Sequence, residues 1–158
     1  MKICVYPGSF DPITNGHLDI INRALKIFDK VYIAVLHNPE KKSHFSLEER
    51  LKMVQSSVKR SEKIEVESFD GLLVEYARKK GACAIIRGLR AVSDFEYEFQ
   101  MALTNASMEP KVETVFLMTS YKYSYLSSSL VMQIAKLGGD VEEFVPKPVA
   151  AKLKASLS

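Results

Sequence analysis

The sequence predicts an α/β fold with a doubly wound parallel sheet of five strands and helices on both faces of the sheet. Two observations predict it. Segments of strand length alternate five times with helical patterns, which is typical of a parallel sheet covered by helices. The chain of 158 residues contains no repeat, low-complexity tract or internal linker, so we expect residues 1–158 to form a single domain.

The five predicted strands are short and mostly apolar. The second and the fourth are continuous apolar runs, whereas the third alternates as KIEVESF, which is typical of a half-buried strand. The predicted bounds are Lys2–Tyr6, Val31–Leu36, Lys63–Phe69, Ala82–Ile86 and Thr114–Met118.

A helical pattern follows each strand. Ser46–Glu49 and Ser93–Glu96 fit capping boxes, in which the first and last side chains each bind the other residue's backbone N–H group. Gly81 and Gly138-Gly139 are typical helix stops. The predicted helices are His17–Phe28, one from Ser46, Leu72–Lys80, one from Ser93 to about Ala106, one from about Ser128 to Leu137, and a last short helix introduced by Pro146 and Pro148.

The fourth of these helices carries apolar side chains at helical spacing. The acidic residues of its first turn, Asp94 and Glu96, suit the positive end of the helix dipole. We expect its apolar side chains to face the core, namely Phe95, Phe99, Ala102, Leu103 and Ala106.

The expected strand order is 3-2-1-4-5, the Rossmann-like arrangement, in which the first and fourth strands are neighbours. In such sheets ligands bind beyond the carboxyl ends of the strands, where the strand order reverses. The functional site is therefore expected among four loops that follow strands, which are Pro7–Gly16, His37–Phe45, Arg87–Val92 and Thr119–Ser127.

The composition indicates a cytoplasmic enzyme or binding protein. The net charge of +3, from 22 basic and 19 acidic residues, is too balanced for non-specific nucleic-acid binding. The start MKICVYPG lacks the features of a signal peptide, and no apolar run reaches the length of a membrane span. Cys4 and Cys83 lie in apolar runs and are expected to be buried free thiols, because their spacing fits no zinc site.

The loop after the first strand contains neither a P-loop nor a dinucleotide-binding fingerprint. Gly8 would let a ligand approach the backbone closely, and Ser9 offers a hydroxyl group. His17 lies at the start of a helix, where free N–H groups attract phosphate, and its ring can donate a hydrogen bond in either protonation state. The alternative is that Thr14 or Asn15 simply caps the helix and that His17 is a surface residue.

Two arginines, separated by Gly88 and Leu89, follow the fourth strand. Arg87 and Arg90 are suited to bidentate phosphate contacts. Glu98 on the next helix could accept a hydrogen bond from a ribose hydroxyl. The alternatives are arginines that are merely solvated and acidic side chains that only complement the helix dipole.

Two further loops supply candidates. Lys41 could reach a phosphate, although a solvated lysine pair with Lys42 is the alternative. Ser127, Ser128 and Ser129 enter a late helix and could offer hydroxyl and N–H groups to an anion, unless they serve only as a helix cap.

These motifs together resemble the phosphopantetheine adenylyltransferase family of the bacterial type. The matching segments are GSFDPITNGH after the first strand, IRGLRAVSDFEYE at the fourth and SYLSSS before the late helix. The wider group is the nucleotidyltransferase superfamily, whose signature here reads Thr14-Asn15-Gly16-His17. The resemblance covers essentially the whole chain. It implies transfer of AMP from ATP to 4′-phosphopantetheine, giving dephospho-coenzyme A and pyrophosphate by direct in-line attack without a covalent intermediate.

The resemblance also implies roles for individual residues. His17 would be catalytic and stabilise the charge that develops around the α-phosphate. Phosphopantetheine would be bound by Ser9, Lys41, Leu73 and Arg87. The nucleotide would contact Ser9, Phe10, His17, Gly88, Leu89, Arg90, Glu98, Tyr123, Ser124, Tyr125, Leu126, Ser127, Ser128 and Ser129.

Further expectations concern cofactors and partners. Mg²⁺ would arrive on the phosphates of ATP, with no metal site of the protein's own. The resemblance implies a homohexamer and feedback inhibition by coenzyme A. Two positions depart from the family pattern. Ser9 stands where many members have threonine, and the turn Leu130–Gln133 lacks the basic residue of many superfamily members, so Arg90 and Lys41 would have to cover more of the pyrophosphate charge.

Two other functions are compatible with parts of the pattern. One is a different nucleotidyltransferase, acting on nicotinamide mononucleotide or glycerol phosphate, against which the run Arg87–Glu98 argues. The other is a non-catalytic regulator that binds a nucleotide or coenzyme on the same fold. A regulator needs affinity but no transition-state contacts, so the combination of His17, Arg87 and Arg90 disfavours it.

Overall fold

The computed structural model describes residues 1–91 and 95–157 of the chain. One parallel sheet lies at its centre. The strands are β1 (Ile3–Gly8), β2 (Lys30–Leu36), β3 (Ile64–Phe69), β4 (Ala84–Leu89) and β5 (Glu113–Met118). Their order is β3-β2-β1-β4-β5, which confirms the predicted order. Because β1 and β4 are neighbours, the loops that follow them leave the same edge of the sheet side by side.

In the part of the chain that the structure describes, four α-helices connect the five strands, and two more follow the last strand. Ser46 and Glu49 form the predicted capping box, with N–H to side-chain oxygen distances of 3.0 and 3.2 Å. Ser93 and Asp94 of the second predicted box lie outside the described residues. Along the described ranges, no helix is long and apolar enough to cross a membrane. The α-helices are α1 (Asn15–Ala24), α2 (Leu47–Ser57), α3 (Leu73–Lys79), α4 (Phe95–Met108), α5 (Ser128–Lys136) and α6 (Lys147–Leu157).

The hydrophobic core is divided between the two faces of the sheet. Successive side chains of a strand point to opposite faces. Cys4 and Tyr6 of β1 therefore join a large cluster with side chains of α1, α2, α5 and α6. Val5 of β1 and Ile85 of β4 join a smaller cluster with Val74 of α3. Helices thus cover both faces, as the sequence predicts.

Strand β4 extends further than the sequence indicates. Its predicted end is Ile86, whereas the observed strand pairs with β5 as far as Leu89. The basic side chain of Arg87 suggests a loop, but parallel pairing satisfies the backbone at this position and leaves the guanidinium at the sheet edge. Arg87 is therefore held by a strand, and Arg90 is the first residue beyond it.

The expectation that the apolar side chains of α4 face the core is wrong. Phe95, Phe99 and Leu103 are 57, 50 and 58% exposed, and Ala106 is also exposed. The only buried side chain among the described residues of this helix is Asn105. Helical spacing identifies an apolar face but not what covers it, so α4 presents a hydrophobic surface to its surroundings.

The two cysteines differ in burial. Cys4 is fully buried in β1, as predicted, whereas Cys83 is exposed, so the prediction of burial is wrong for Cys83. Cys83 lies just before the first residue of β4, at the amino edge of the sheet, where no helix covers it. Its Sγ donates to the carbonyl oxygen of Ile3 at 3.3 Å.

Candidate functional site

Most of the predicted site residues lie at the carboxyl edge of the sheet around β1 and β4. The segment Ser9–Phe10 follows β1, His17 lies in the first turn of α1, and Arg90 follows β4. The serine run is joined to the first loop because the Ser128 hydroxyl donates to the carbonyl of Pro12 at 2.8 Å. The reversal point of the sheet therefore gathers the first loop, the arginine segment and the serine run.

Phe10 is a buried side chain that packs against the His17 ring. The two ring centroids lie 5.0 Å apart in an edge-to-face arrangement, and the Tyr6 ring lies 5.5 Å from Phe10 on another side. A Cβ atom at Gly8 would lie 3.1 Å from the Phe10 ring. Gly8 therefore makes room for Phe10, whereas the sequence suggests that it makes room for a ligand.

The His17 ring is held by the helix cap. Thr14 is the N-cap residue, and its hydroxyl accepts from the backbone N–H of His17 at 3.4 Å. The backbone N–H of Thr14 donates to Nδ1 of His17 at 2.9 Å. This is a capping box in which histidine replaces the usual glutamate. The cap and the candidate catalytic residue, which the sequence offers as alternatives, are parts of one arrangement.

This arrangement determines which ring nitrogen of His17 carries the proton. Because Nδ1 accepts a hydrogen bond, the proton of the neutral ring is on Nε2. Burial, together with the positive charges of Arg90 and Arg87, lowers the pKa of His17 to about 4. At neutral pH the residue is therefore a neutral imidazole that presents Nε2–H as a donor.

We expect His17 to titrate about two pH units below an ordinary histidine. The folded-state pKa of about 4 lies below the ordinary histidine pKa of 6.5, so the unfolded chain binds the proton more readily. The stability that depends on the neutral ring is complete above pH 6.5 and is lost as the pH falls through about 4. Nitrogen-15 NMR of the ring should show the Nε2–H form at pH 7 and a midpoint near the lower value.

The variant His17→Gln serves as the control for this titration. The free energy of unfolding of the natural protein, relative to that of the variant, should rise with pH between about 4 and 6.5. A ring midpoint near 6.5, or a proton on Nδ1 at pH 7, would contradict the assignment.

Arg87 and Glu98 form a two-pronged ion pair. Nε and Nη2 of Arg87 lie 2.8 and 2.6 Å from the two carboxylate oxygens of Glu98. Hydrogen bonding to Glu98 raises the pKa of Arg87. The sequence suggests that Glu98 accepts from a ribose hydroxyl, whereas in this structure its carboxylate binds the arginine.

Arg90 connects the end of β4 to the loop before α5. Its Nη1 donates to the carbonyl of Leu126 at 2.6 Å, and the neighbouring Ala91 N–H donates to the carbonyl of Ser124 at 3.2 Å. A Cβ atom at Gly88 would lie 3.1 Å from Cγ1 of Ile20. Gly88 therefore lets β4 approach α1, which brings this arginine segment close to the helix that carries His17.

The three serines before and within α5 have separate tasks. The Ser127 hydroxyl accepts from the N–H of Leu130 at 3.1 Å and is the N-cap of the helix, so the cap alternative holds for this residue. Ser128 bonds the first loop, as described above. Ser129 is exposed at the start of the helix. The first turn of α5 is therefore joined to the first loop through Ser128 and exposes Ser129.

Lys41 and Leu73 lie at the ends of other strands. Lys41 is exposed in the loop after β2, where its N–H bonds the carbonyl of Asn38 at 3.2 Å. Leu73 begins α3 and packs against the smaller core cluster. Among the described contacts, no hydrogen bond or ion pair joins Lys41 to His17 or to Arg87. The structure therefore places Lys41 and Leu73 at the periphery of the candidate site.

Two charged residues near the site are absent from the sequence-based candidates. The carboxylate of Asp11 accepts from the N–H groups of His44 and Phe45 at 2.7 and 2.9 Å, and so fastens the second loop to the first. Arg50 is 3% exposed and donates to backbone carbonyls near the site. The available signal for Arg50 is its position on the face of α2 that also carries Val54, because a basic residue on a buried face requires buried partners.

The fold and this arrangement define the class of protein. A model of the cytidylyltransferase-like family matches residues 5–134. A solved structure of a bifunctional NMN adenylyltransferase/ADP ribose pyrophosphatase from Francisella tularensis, complexed with AMP and a manganese ion, has a TM-score of 0.73 at 19% identity and is similar in fold. The structural match covers 99% of this chain and 49% of the Francisella tularensis chain. The chain belongs to the cytidylyltransferase-like family.

The narrower assignment follows from curated relatives. The phosphopantetheine adenylyltransferase of Caldanaerobacter subterraneus subsp. tengcongensis is 59% identical over 153 residues, which are 97% of this chain and 96% of the relative. The enzyme of the same name from Alkaliphilus metalliredigens is 60% identical over 149 residues, with 94 and 95% coverage. The chain therefore belongs to the phosphopantetheine adenylyltransferases, which confirms the family that the sequence motifs indicate.

Proposed function

We propose that this chain transfers the adenylyl group of ATP to 4′-phosphopantetheine, which gives dephospho-coenzyme A and pyrophosphate. The close relatives carry the name of this activity. The observation that carries the proposal is the Nε2–H of His17, held by Thr14 beside two arginines at the reversal point of the sheet. A fixed neutral donor among cationic groups is suited to phosphoryl chemistry, in which the protein positions the substrates and stabilises charge.

The proposed reaction is a direct in-line attack of the acceptor phosphate on the α-phosphorus. A new P–O bond forms as the bond to the pyrophosphate oxygen breaks, and pyrophosphate leaves with the bonding electron pair. Nε2–H of His17 would donate to an α-phosphate oxygen as negative charge builds on it. Since the Nδ1 hydrogen bond fixes the ring, the donor needs no reorientation during the reaction.

The remaining candidates are divided between the two substrates. The acceptor side would comprise Ser9, Lys41, Leu73 and Arg87, with the guanidinium of Arg87 on the phosphate. Lys41 is exposed on a loop, so its ammonium group can move toward a bound acceptor. The nucleotide side would comprise Ser9, Phe10, His17, Gly88, Leu89, Arg90, Glu98 and Tyr123 to Ser129.

Mg²⁺ is proposed to enter with ATP. Phosphate oxygens of the nucleotide would supply ligands to the ion, because Mg²⁺ prefers hard oxygen donors and is usually bound together with substrate phosphates. The ion would offset the negative charge of the triphosphate. Arg90 and the N-terminus of α5 would be the contacts of this chain to the leaving pyrophosphate.

We further propose a cytoplasmic homohexamer that coenzyme A inhibits. The exposed apolar side chains of α4, with Met118 of β5, offer a surface that copies of the chain could bury. Coenzyme A shares most of its structure with dephospho-coenzyme A and would compete for the same site. Light scattering should give six times the mass of the chain, and a monomer at micromolar concentration would contradict the assembly.

A turnover assay tests the proposed activity. Pyrophosphate release from Mg–ATP should require 4′-phosphopantetheine and should be absent with pantetheine, which lacks the attacking phosphate. Nicotinamide mononucleotide and glycerol phosphate test the other acceptors. Absence of pyrophosphate release with phosphopantetheine would overturn the proposal, and binding of it without turnover would favour a regulator.

A further inference from the structure

Arg50 is a buried cation that bonds the backbone of the candidate site. It lies on α2, and its Nη1 donates to the carbonyl of Ser9 at 2.7 Å and to that of Leu36 at 3.0 Å. Its Nε is buried and makes no hydrogen bond, and burial lowers the pKa of the guanidinium. Keeping a charge in such a position is costly, and removing it leaves the two carbonyls without this donor.

The bond to Ser9 determines where the next N–H group points. The Ser9 carbonyl and the Phe10 N–H belong to one planar trans peptide, so they point in opposite directions. Arg50 binds the oxygen from the α2 side. The Phe10 N–H is therefore turned away from α2, and among the described residues it donates to no protein acceptor.

The backbone of Phe10 requires such support. Its φ angle is +46°, in the left-handed region that bulky side chains rarely adopt, so this conformation is strained. The Arg50 bond on the preceding carbonyl and the packing of the Phe10 ring against His17 and Tyr6 help to hold it. The same peptide thus lies between a buried arginine and the ring of the candidate catalytic histidine.

We propose that Arg50 is a positioning residue that fixes the Ser9–Phe10 peptide with its N–H facing the site of adenylyl transfer. The inference rests on the proposed function, in which this segment lies between the phosphates of the two substrates. The Phe10 N–H then acts as a second donor to the transferring phosphate, beside Nε2–H of His17. The bond to Leu36 ties the start of the Lys41 loop to the same guanidinium.

The variant Arg50→Met, which keeps much of the volume but no donor, tests this role. Its kcat should fall about 10- to 100-fold, as a small misplacement of a catalytic group does, while the KM values of both substrates change less than about threefold. Arg50→Lys, which retains a donor, should recover at least part of the loss. Lys52→Met is the matched control on the exposed face of α2, where Lys52 pairs with Glu48, and should keep the natural kcat.

A merely structural role for Arg50 predicts a different result. Arg50→Met would then unfold at lower urea concentration, but its folded fraction would turn over at the natural rate. Equal kcat values for the lysine and methionine variants would also overturn the proposal.

An NMR experiment on the natural protein decides the matter if Arg50→Met does not fold. Adding Mg–ATP without acceptor should move the Phe10 amide proton downfield. If ATP changed the chemical shifts of groups near His17 but not that of the Phe10 amide, the inference about Arg50 would be overturned and the proposed function would stand. Absence of any ATP-dependent shift would instead contradict the proposed function.

Discussion

Replacing His17 with alanine is expected to lower kcat, because it removes about 2–4 kcal/mol of transition-state stabilisation. This is the scale of losing one preorganised donor. The affinity for ATP should fall much less, because the donor strengthens as charge develops on the α-phosphate. Single-turnover kinetics with 4′-phosphopantetheine and separate ATP titrations measure the two quantities. Since the ring is neutral, its loss removes a hydrogen bond rather than a fixed positive charge.

The control for this experiment is His44→Ala. The His44 side chain is exposed, and the described bond between this residue and the first loop uses its backbone N–H, which alanine retains. Its turnover should therefore match that of the natural protein. If His17→Ala instead reduced ATP affinity and kcat in parallel, His17 would be a ground-state contact to the nucleotide.

Replacing Arg87 with alanine is expected to raise the KM for 4′-phosphopantetheine about 10- to 100-fold, the effect of losing charged hydrogen bonds of about 1.5–3 kcal/mol. The KM for ATP should change less. The variant also leaves the Glu98 carboxylate without its arginine, and this negative charge would repel an incoming phosphate. Initial-rate measurements with each substrate varied in turn give both constants.

Arg60→Ala provides the matched control for Arg87. Arg60 is exposed in the connection between α2 and β3, which enters β3 at the opposite edge of the sheet. Both KM values should be unchanged in this variant. Equal increases in the two constants for Arg87→Ala would show that the division of residues between the substrates is wrong.

The fold was predictable because local patterns suffice to define it. Alternating runs specify five strands, and the common doubly wound topology supplies their order. The burial of α4 was not predictable from Phe95 or Phe99, because periodicity alone cannot distinguish a core face from an exposed one. The end of β4 was misplaced for a similar reason, since pairing with β5 outweighs the polar character of Arg87.

The placement of His17 and Arg90 at one edge of the sheet was predictable, because the segments that carry them follow the neighbouring strands β1 and β4. The protonation state of His17 was not, because it depends on the direction of one backbone N–H group, that of Thr14. Arg50 escaped detection because it acts over 41 sequence positions, on the carbonyl of Ser9. Sequence motifs name side chains, whereas both of these contacts are made with backbone atoms.

If Arg87 binds the acceptor phosphate as proposed, its ion pair with Glu98 makes acceptor binding an exchange of one anion for another. At Nε and Nη2 an incoming phosphate would replace a carboxylate that already accepts two hydrogen bonds. Because this carboxylate is part of the chain, it competes at high effective concentration. Simple anions of the cell would therefore be poor occupants of the position, and the proposed acceptor would gain entry through the additional contacts that its organic part makes.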